Sequence, residues 1–168
     1  MTPATAIKEF VITRVFEAPR DVVWKAWTDP AQMQQWFGPK GVATTTSYKM
    51  DLRPGGMSHY SMRTPDGTVM WGKAVYREII APEKLVWVNS FSDEKGGTTR
   101  HPLSSEWPLE MLTTVTFGEV GDKTRITVRW IPVNASDEEI QFFNKSHASM
   151  TGGWTGTFEQ LDEYLSKG

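Results

Sequence analysis

The spacing of apolar residues predicts a long amphipathic helix near the end of the chain. Eight side chains, all but one of them apolar, recur there every three or four residues and so share one helical face: Ile140, Phe143, His147, Met150, Trp154, Phe158, Leu161 and Leu165. Ser136 and Glu139 have the spacing of a capping box, so we expect the helix to begin at Ser136 and to run unbroken to Lys167. Such a helix needs an equally long apolar surface to lie on, and the preceding residues should supply it.

Two short helices and a series of strands are predicted before this helix. Residues 10–16 are rich in β-branched and aromatic side chains and predict a first strand. Pro19 and the pair Asp29-Pro30 then mark the starts of two short helices. Turn-forming residues separate the later strands, which we place at 48–52, 57–63, 69–80, 85–91, 111–117 and 124–130. The last two strands have one apolar and one polar face, which is typical of an antiparallel sheet with a single core face.

Residues 92–108 form a stretch that is too long for a hairpin turn. Loops of this length in compact domains are usually disordered or functional. Leu103 and Trp107 indicate that the segment folds back onto an apolar surface, where it could act as a lid. We find no repeat, low-complexity tract or linker in the sequence, so residues 1–168 are predicted to form one domain.

Composition narrows the functional classes. The sequence contains eight Trp, eight Met and eight Phe but no Cys, which excludes disulfides and thiolate chemistry and fits a cytoplasmic location. The 18 basic and 20 acidic residues give a net charge of −2 and are intermixed, so nucleic acid is not an expected partner. No apolar run approaches the roughly 18 residues of a membrane span.

Several motifs resemble a known family. They are residues 24–30 (WKAWTDP), 36–39 (WFGP), 51–56 (DLRPGG) and 78–85 (EIIAPEKL), with Gly153-Trp154 in the final helix. In order and spacing they resemble the bacterial single-domain relatives of the activator of the heat-shock chaperone ATPase. These belong to the START-like (SRPBCC) superfamily, together with the birch-pollen allergen and polyketide cyclases. The resemblance implies an α+β helix-grip (START-like) fold over residues 1–168. In this fold a curved antiparallel sheet of about seven strands surrounds a long C-terminal helix over an apolar cavity, with two short helices after the first strand.

Motifs for catalysis are not recognised in the sequence. His59, His101 and His147 are far apart, and no close-spaced ligand pair or nucleophile elbow occurs, so we expect no metal, no cofactor and no assigned catalytic residue. His147 on the apolar helix face is either a core histidine bonded to the sheet or a polar anchor for a ligand. We expect His59 to point outward and His101 to be in solvent. The glycines at 152, 153 and 156 cost about 1 kcal/mol each in a helix, which indicates either a close approach to the sheet, the favoured reading, or room for a ligand.

Large aromatic and Met side chains are the candidate site, although each could simply belong to the core. The candidates are Trp36, Phe37, Tyr48, Met50, Tyr60, Met62, Trp107, Met111, Trp130, Phe143, His147, Met150 and Trp154. Our first hypothesis is a monomeric or homodimeric protein that binds an apolar or amphipathic small molecule, such as a lipid or polyketide-like compound, between sheet and helix. The alternatives are a polyketide cyclase or hydrolase that uses the same cavity, and a co-chaperone whose exterior contacts a chaperone.

Overall fold

A computed structural model describes residues 5–101 and 104–167. The described residues form eight strands and four helices. In chain order these are β1 Phe10–Phe16, α1 Arg20–Thr28, α2 Pro30–Trp36, β2 Thr44–Met50, β3 Met57–Arg63, β4 Val69–Ile80, β5 Lys84–Ser92, β6 Thr98–Thr99, β7 Glu110–Val120, β8 Lys123–Val133, α3 Asp137–Lys145 and α4 His147–Ser166. The predicted α+β architecture, with two short helices after the first strand, is confirmed.

The strands pair in the order β1-β8-β7-β5-β4-β3-β2, and β6 pairs with the end of β5. Every pairing is antiparallel. Irregular register between Thr45 and Ser47 in β2, and between Tyr76 and Glu78 in β4, marks two bulges. Because a bulge bends its strand and increases the local twist, the sheet curls around α4. The predicted sheet of about seven strands is therefore confirmed, apart from the two-residue strand β6.

The long C-terminal helix was predicted as one element, and this is wrong. Its start is as expected, because the Glu139 amide donates to Ser136 Oγ at 3.2 Å and the Ser136 amide donates to Glu139 Oε1 at 2.9 Å. The helix ends at Lys145, and a second helix begins at His147. The residue between them, Ser146, has φ −100° and ψ 8°, and its hydroxyl donates to the Phe142 carbonyl at 2.7 Å. A serine hydroxyl that bonds to the backbone in this way competes with regular helix, which accounts for the break.

The core lies between the concave face of the sheet and the helices. Sequence alone left the faces of the first strand unassigned, and the structure resolves them: Phe10 and Phe16 are buried, whereas Val11 and Val15 are exposed.

At the start of α2, Asp29 caps the helix by accepting from the Ala31 amide at 3.0 Å. Helix α1 packs against β7 and β8, and α2 packs against β2.

Two ion pairs tie α4 to other parts of the chain, and Trp107 packs onto the interior. Arg14 on β1 pairs with Asp162, and Lys40 after α2 pairs with Glu163. As predicted, Trp107 folds back onto the apolar interior; its ring centroid lies 6.3 Å from that of Trp130. The other residue on which that expectation depended, Leu103, lies outside the described residues. No helix of the described residues is long and apolar enough to cross a membrane.

Candidate functional site

A cavity of about 370 Å³ lies between the concave face of the sheet and α4. Strands β3, β4, β5, β7 and β8 form its floor, and α4 forms its roof. Residues 37–39 and 107–109 lie along its sides. Among the described residues, no lysine, arginine, aspartate or glutamate lines the cavity. Its walls are mainly aromatic rings and methionines, with a few uncharged polar groups.

Most of the candidate residues meet at this cavity. Eight of them line it: Phe37, Tyr60, Met62, Trp107, Met111, Trp130, Met150 and Trp154. They come from three sheet strands, the final helix and two connecting segments, so the fold brings together residues that are distant in sequence.

The other five candidates do not line the cavity, and we correct their placement. Trp36 is 1% exposed, and its indole Nε1 donates to the Ala26 carbonyl at 2.9 Å, so it joins α2 to α1. Phe143 is completely buried in the core, where Met50 also packs. Tyr48 stacks on Tyr60, with ring centroids 5.3 Å apart, but does not itself line the cavity.

His147 makes a structural contact, and it does not line the cavity. Its Nε2 lies 2.9 Å from the carbonyl oxygen of Lys8, and its ring packs edge-on against Phe10 and Phe143. The partner belongs to the segment before β1, not to the sheet. The alternative of a core histidine was therefore nearer to the structure than that of a ligand anchor.

The three helix glycines differ in what surrounds them. A Cβ on Gly156 would lie 3.1 Å from the backbone nitrogen of Lys40, so this glycine permits close approach of the loop after α2. A Cβ on Gly153 would meet nothing within 4 Å, although the residue lines the cavity. Gly152 is exposed and equally unobstructed. The close approach predicted for these glycines therefore occurs only at Gly156, and its partner is a loop, not the sheet. Gly153 leaves space next to the cavity.

A glycine in β4 positions Tyr60. Gly72 pairs directly with Tyr60 across the sheet, and a Cβ on Gly72 would lie 2.6–2.7 Å from Tyr60 Cε2, Cζ and the hydroxyl oxygen. The ring therefore lies flat over the glycine. Phe37 packs edge-on against the same ring at 5.4 Å between centroids. Burial raises the pKa of Tyr60, so the hydroxyl keeps its proton at neutral pH.

Polar groups that sequence analysis missed lie on β5 and β7. The hydroxyl of Thr113 donates to Asn89 Oδ1 at 2.5 Å, which orients the Asn89 amide on the cavity floor. Among the described residues, the Asn89 amide nitrogen and the Tyr60 hydroxyl have no hydrogen-bond partner. The indole nitrogens of Trp130 and Trp154 also lack partners among these residues and are buried. An asparagine within a strand is not a recognisable sequence motif. Asn89 can be identified only from the strand register, which places it at the cavity.

The two remaining histidines lie on opposite sides of the sheet. His101, expected in solvent, is half-buried and lines the cavity, with its ring centroid 4.6 Å from that of Phe91. Burial lowers the pKa of His101, which favours the neutral imidazole. His59 points away from the cavity as predicted and stacks on Trp71 at 4.8 Å between centroids.

Comparison with known proteins identifies similar sequences and structures. A family model described as "Activator of Hsp90 ATPase homolog 1-like protein" matches residues 17–166. No protein with a curated description matches the chain. A solution structure from Arthrobacter aurescens has a TM-score of 0.79 at 26% identity, and the match covers 99% of this chain and 94% of that one.

Two crystal structures extend the comparison. Protein Ms6760 from Mycobacterium smegmatis has a TM-score of 0.74 at 27% identity, with 97% of both chains covered. The AHSA1 protein from Silicibacter pomeroyi has a TM-score of 0.68 at 15% identity, with 95% of this chain and 98% of that chain covered. At that identity the similarity establishes the fold alone.

Proposed function

The chain belongs to the family of Activator of Hsp90 ATPase homolog 1-like proteins, and from that basis we propose that it binds an apolar or amphipathic small molecule between the sheet and α4. The observation that carries the proposal is the cavity beside Gly153. Alanine at this position would strengthen the helix and would meet no atom within 4 Å, yet the chain has glycine there. Space kept open at a cost in stability is what a binding site requires.

The size and lining of the cavity support this class of ligand. Its volume of about 370 Å³ falls within the usual range for small-molecule sites. An apolar cavity of about 150 Å³ accommodates benzene, so a molecule of two to three rings or a short acyl chain is the matching size. The uncharged walls disfavour an ionised group, because burying an unpaired charge is costly. Lipid-like and polyketide-like compounds meet these requirements.

Thermal unfolding in the presence of candidate ligands tests the proposal. The panel contains fatty acids, sterols, flavonoids and aromatic polyketides. A ligand at a hundred times its dissociation constant should add about 2.7 kcal/mol to the free energy of unfolding. For a domain of this length that corresponds to a rise of roughly 5–10 °C in the unfolding midpoint.

A pair of helix variants separates cavity binding from surface binding. Gly153→Leu places a side chain next to the cavity, whereas Gly152→Leu adds the same side chain on the exposed side of the same turn. We expect the ligand-induced shift to disappear in Gly153→Leu and to persist in Gly152→Leu. Equal shifts in both variants, or no shift with any compound, would contradict the proposal.

An enzyme of polyketide-cyclase type is the second candidate. It is favoured by two titratable groups that line the same cavity, Tyr60 with a raised pKa and His101 with a lowered pKa. A neutral phenol and a neutral imidazole are a donor and a potential base for proton transfer. Mass spectrometry of a bound polyketide after incubation with protein tests this candidate, and recovery of unchanged compound would exclude it for that substrate.

Two further proposals concern the location of the protein in the cell and its association with a chaperone. We place the protein in the cytoplasm, which its lack of Cys supports. Association with a chaperone, which the family's description names, would use the exterior and is independent of the cavity. Chaperone pull-down with wild-type protein and with Gly153→Leu tests this independence, because both should bind equally.

A further inference from the structure

We infer that the cavity selects a flat, uncharged ligand that carries a carbonyl oxygen, and that the Tyr60 hydroxyl and the Asn89 amide both donate to this oxygen. The inference rests on the proposed function, since it names the ligand class for the same cavity. It depends on three features of the cavity. Gly72 has no side chain, the Asn89 amide is oriented by Thr113, and aromatic rings form the walls.

The empty position at Gly72 lets Tyr60 reach across the sheet. Because the strand partner has no side chain, the Tyr60 ring lies over β4, and its hydroxyl oxygen is 2.7 Å from the place a Gly72 Cβ would occupy. Any larger residue would displace the ring. The hydroxyl is therefore held above the strand that adjoins β5.

The strand register places Asn89 on the same face of the sheet as this hydroxyl. Gly72 pairs with Phe91, and Asn89 lies two residues before Phe91 on the same face of β5. Diagonal positions of this kind on neighbouring antiparallel strands are about 7–8 Å apart. The Tyr60 hydroxyl lies over Gly72, and the Asn89 side chain stands at the other end of this diagonal, so the ligand oxygen of the proposal is placed between the two groups.

The chemistry of the two groups specifies an acceptor. Thr113 donates to Asn89 Oδ1, so the amide NH₂ is the part of Asn89 that remains for a ligand, and it can only donate. The protonated Tyr60 hydroxyl can donate as well. A carboxylate would also accept from both, but no lysine or arginine among the described lining residues would compensate its charge. A neutral carbonyl oxygen satisfies both donors without that cost.

The walls around these donors favour a flat molecule. Phe91, Trp87 and Trp107 line the cavity with Tyr60, and rings of this kind pack best against other planar faces. A ligand oxygen fixed between Tyr60 and Asn89 would place the rest of the molecule along these walls. Aromatic ketones of two to three rings combine the required shape, volume and acceptor.

The experiment compares two planar three-ring compounds, fluorene and 9-fluorenone, which differ by one carbonyl group. Dissociation constants are measured by quenching of tryptophan fluorescence for wild type and three variants. Tyr60→Phe removes one donor, and Asn89→Leu combined with Thr113→Val removes the other without leaving a hydroxyl unpaired. Tyr48→Phe is the matched control, because it removes a hydroxyl from the ring stacked on Tyr60 but does not touch the cavity.

We expect each donor-removing change to weaken 9-fluorenone binding by about 2- to 12-fold, the value of one net hydrogen bond, and to leave fluorene binding unchanged. Tyr48→Phe should change neither. Equal effects of Tyr60→Phe on the binding of both compounds would overturn the inference but not the proposed function. The same conclusion would follow if wild type bound other compounds of the panel but not 9-fluorenone. Failure of wild type to bind any compound would overturn the proposed function, and this inference with it. If the double variant does not fold, Tyr60→Phe decides alone.

Discussion

Replacing the two adjacent helix glycines with alanine tests whether the space beside α4 exists in solution. Gly152 and Gly153 lie in the middle of α4, and a Cβ on either would meet no atom within 4 Å. Alanine in a helix interior is more favourable than glycine by about 0.8–1.0 kcal/mol. Because consecutive helix positions do not face each other, the two gains should add to about 2 kcal/mol in the double variant.

Urea denaturation measures the free energy of unfolding, and calorimetry measures the midpoint temperature. Each single variant should unfold about 2–4 °C higher than wild type, and the double variant about 4–8 °C higher. Gly152→Ala is the control, because its methyl group enters solvent whatever the state of the cavity. If Gly152→Ala stabilises and Gly153→Ala destabilises, the space beside Gly153 is filled in solution, and the cavity argument fails.

Three further predictions concern the helix cap and the sheet floor. Ser136→Ala removes the α3 cap and should lower the free energy of unfolding by about 1 kcal/mol in urea denaturation, and an unchanged value would show that the cap bond is not formed. Burial opposes ionisation of Glu139, but bonds from Ser136 and Arg100 outweigh it and lower the pKa of its carboxyl below the ordinary 4.5. The stability that Glu139 contributes is therefore present above pH 4.5 and lost as the pH falls through the lowered pKa of the folded state. Glu139→Gln should flatten this part of the curve of stability against pH. A curve identical to that of wild type would contradict the assignment. Gly72→Val should destabilise the protein by about 1–3 kcal/mol, because its side chain collides with the Tyr60 ring. Combining it with Tyr60→Ala should recover much of this loss, as measured by urea denaturation. Additive losses in the double variant would refute the collision.

Local patterns in the sequence were sufficient for most elements of the fold. The predicted strands 57–63 and 69–80 coincide with β3 and β4, and the capping box at Ser136 begins α3. These features depend on residues within a few positions of one another, where propensity and hydrogen bonding act directly. Resemblance to a known family supplied the way in which the sheet surrounds the helix.

The break at Ser146 shows where local reasoning was insufficient. Apolar spacing continues unchanged from Phe143 to Met150, so periodicity alone predicts one helix. In the folded chain His147 bonds to the Lys8 carbonyl and Ser146 bonds back to Phe142. One of these two contacts joins residues about 140 positions apart, and no sequence window contains it.

The sequence by itself determined which side chains are large and apolar and, for the last two strands, which face carries them. Only the tertiary structure decided which of these side chains border empty space: Met111 lines the cavity, whereas Phe143 is enclosed in the core. Tyr60 and Asn89 line the same cavity through the register of β3, β4 and β5, which the sequence pattern leaves open. The physical reason is that a cavity is space left between surfaces from distant parts of the chain, so its position depends on strand register, bulges and helix breaks together.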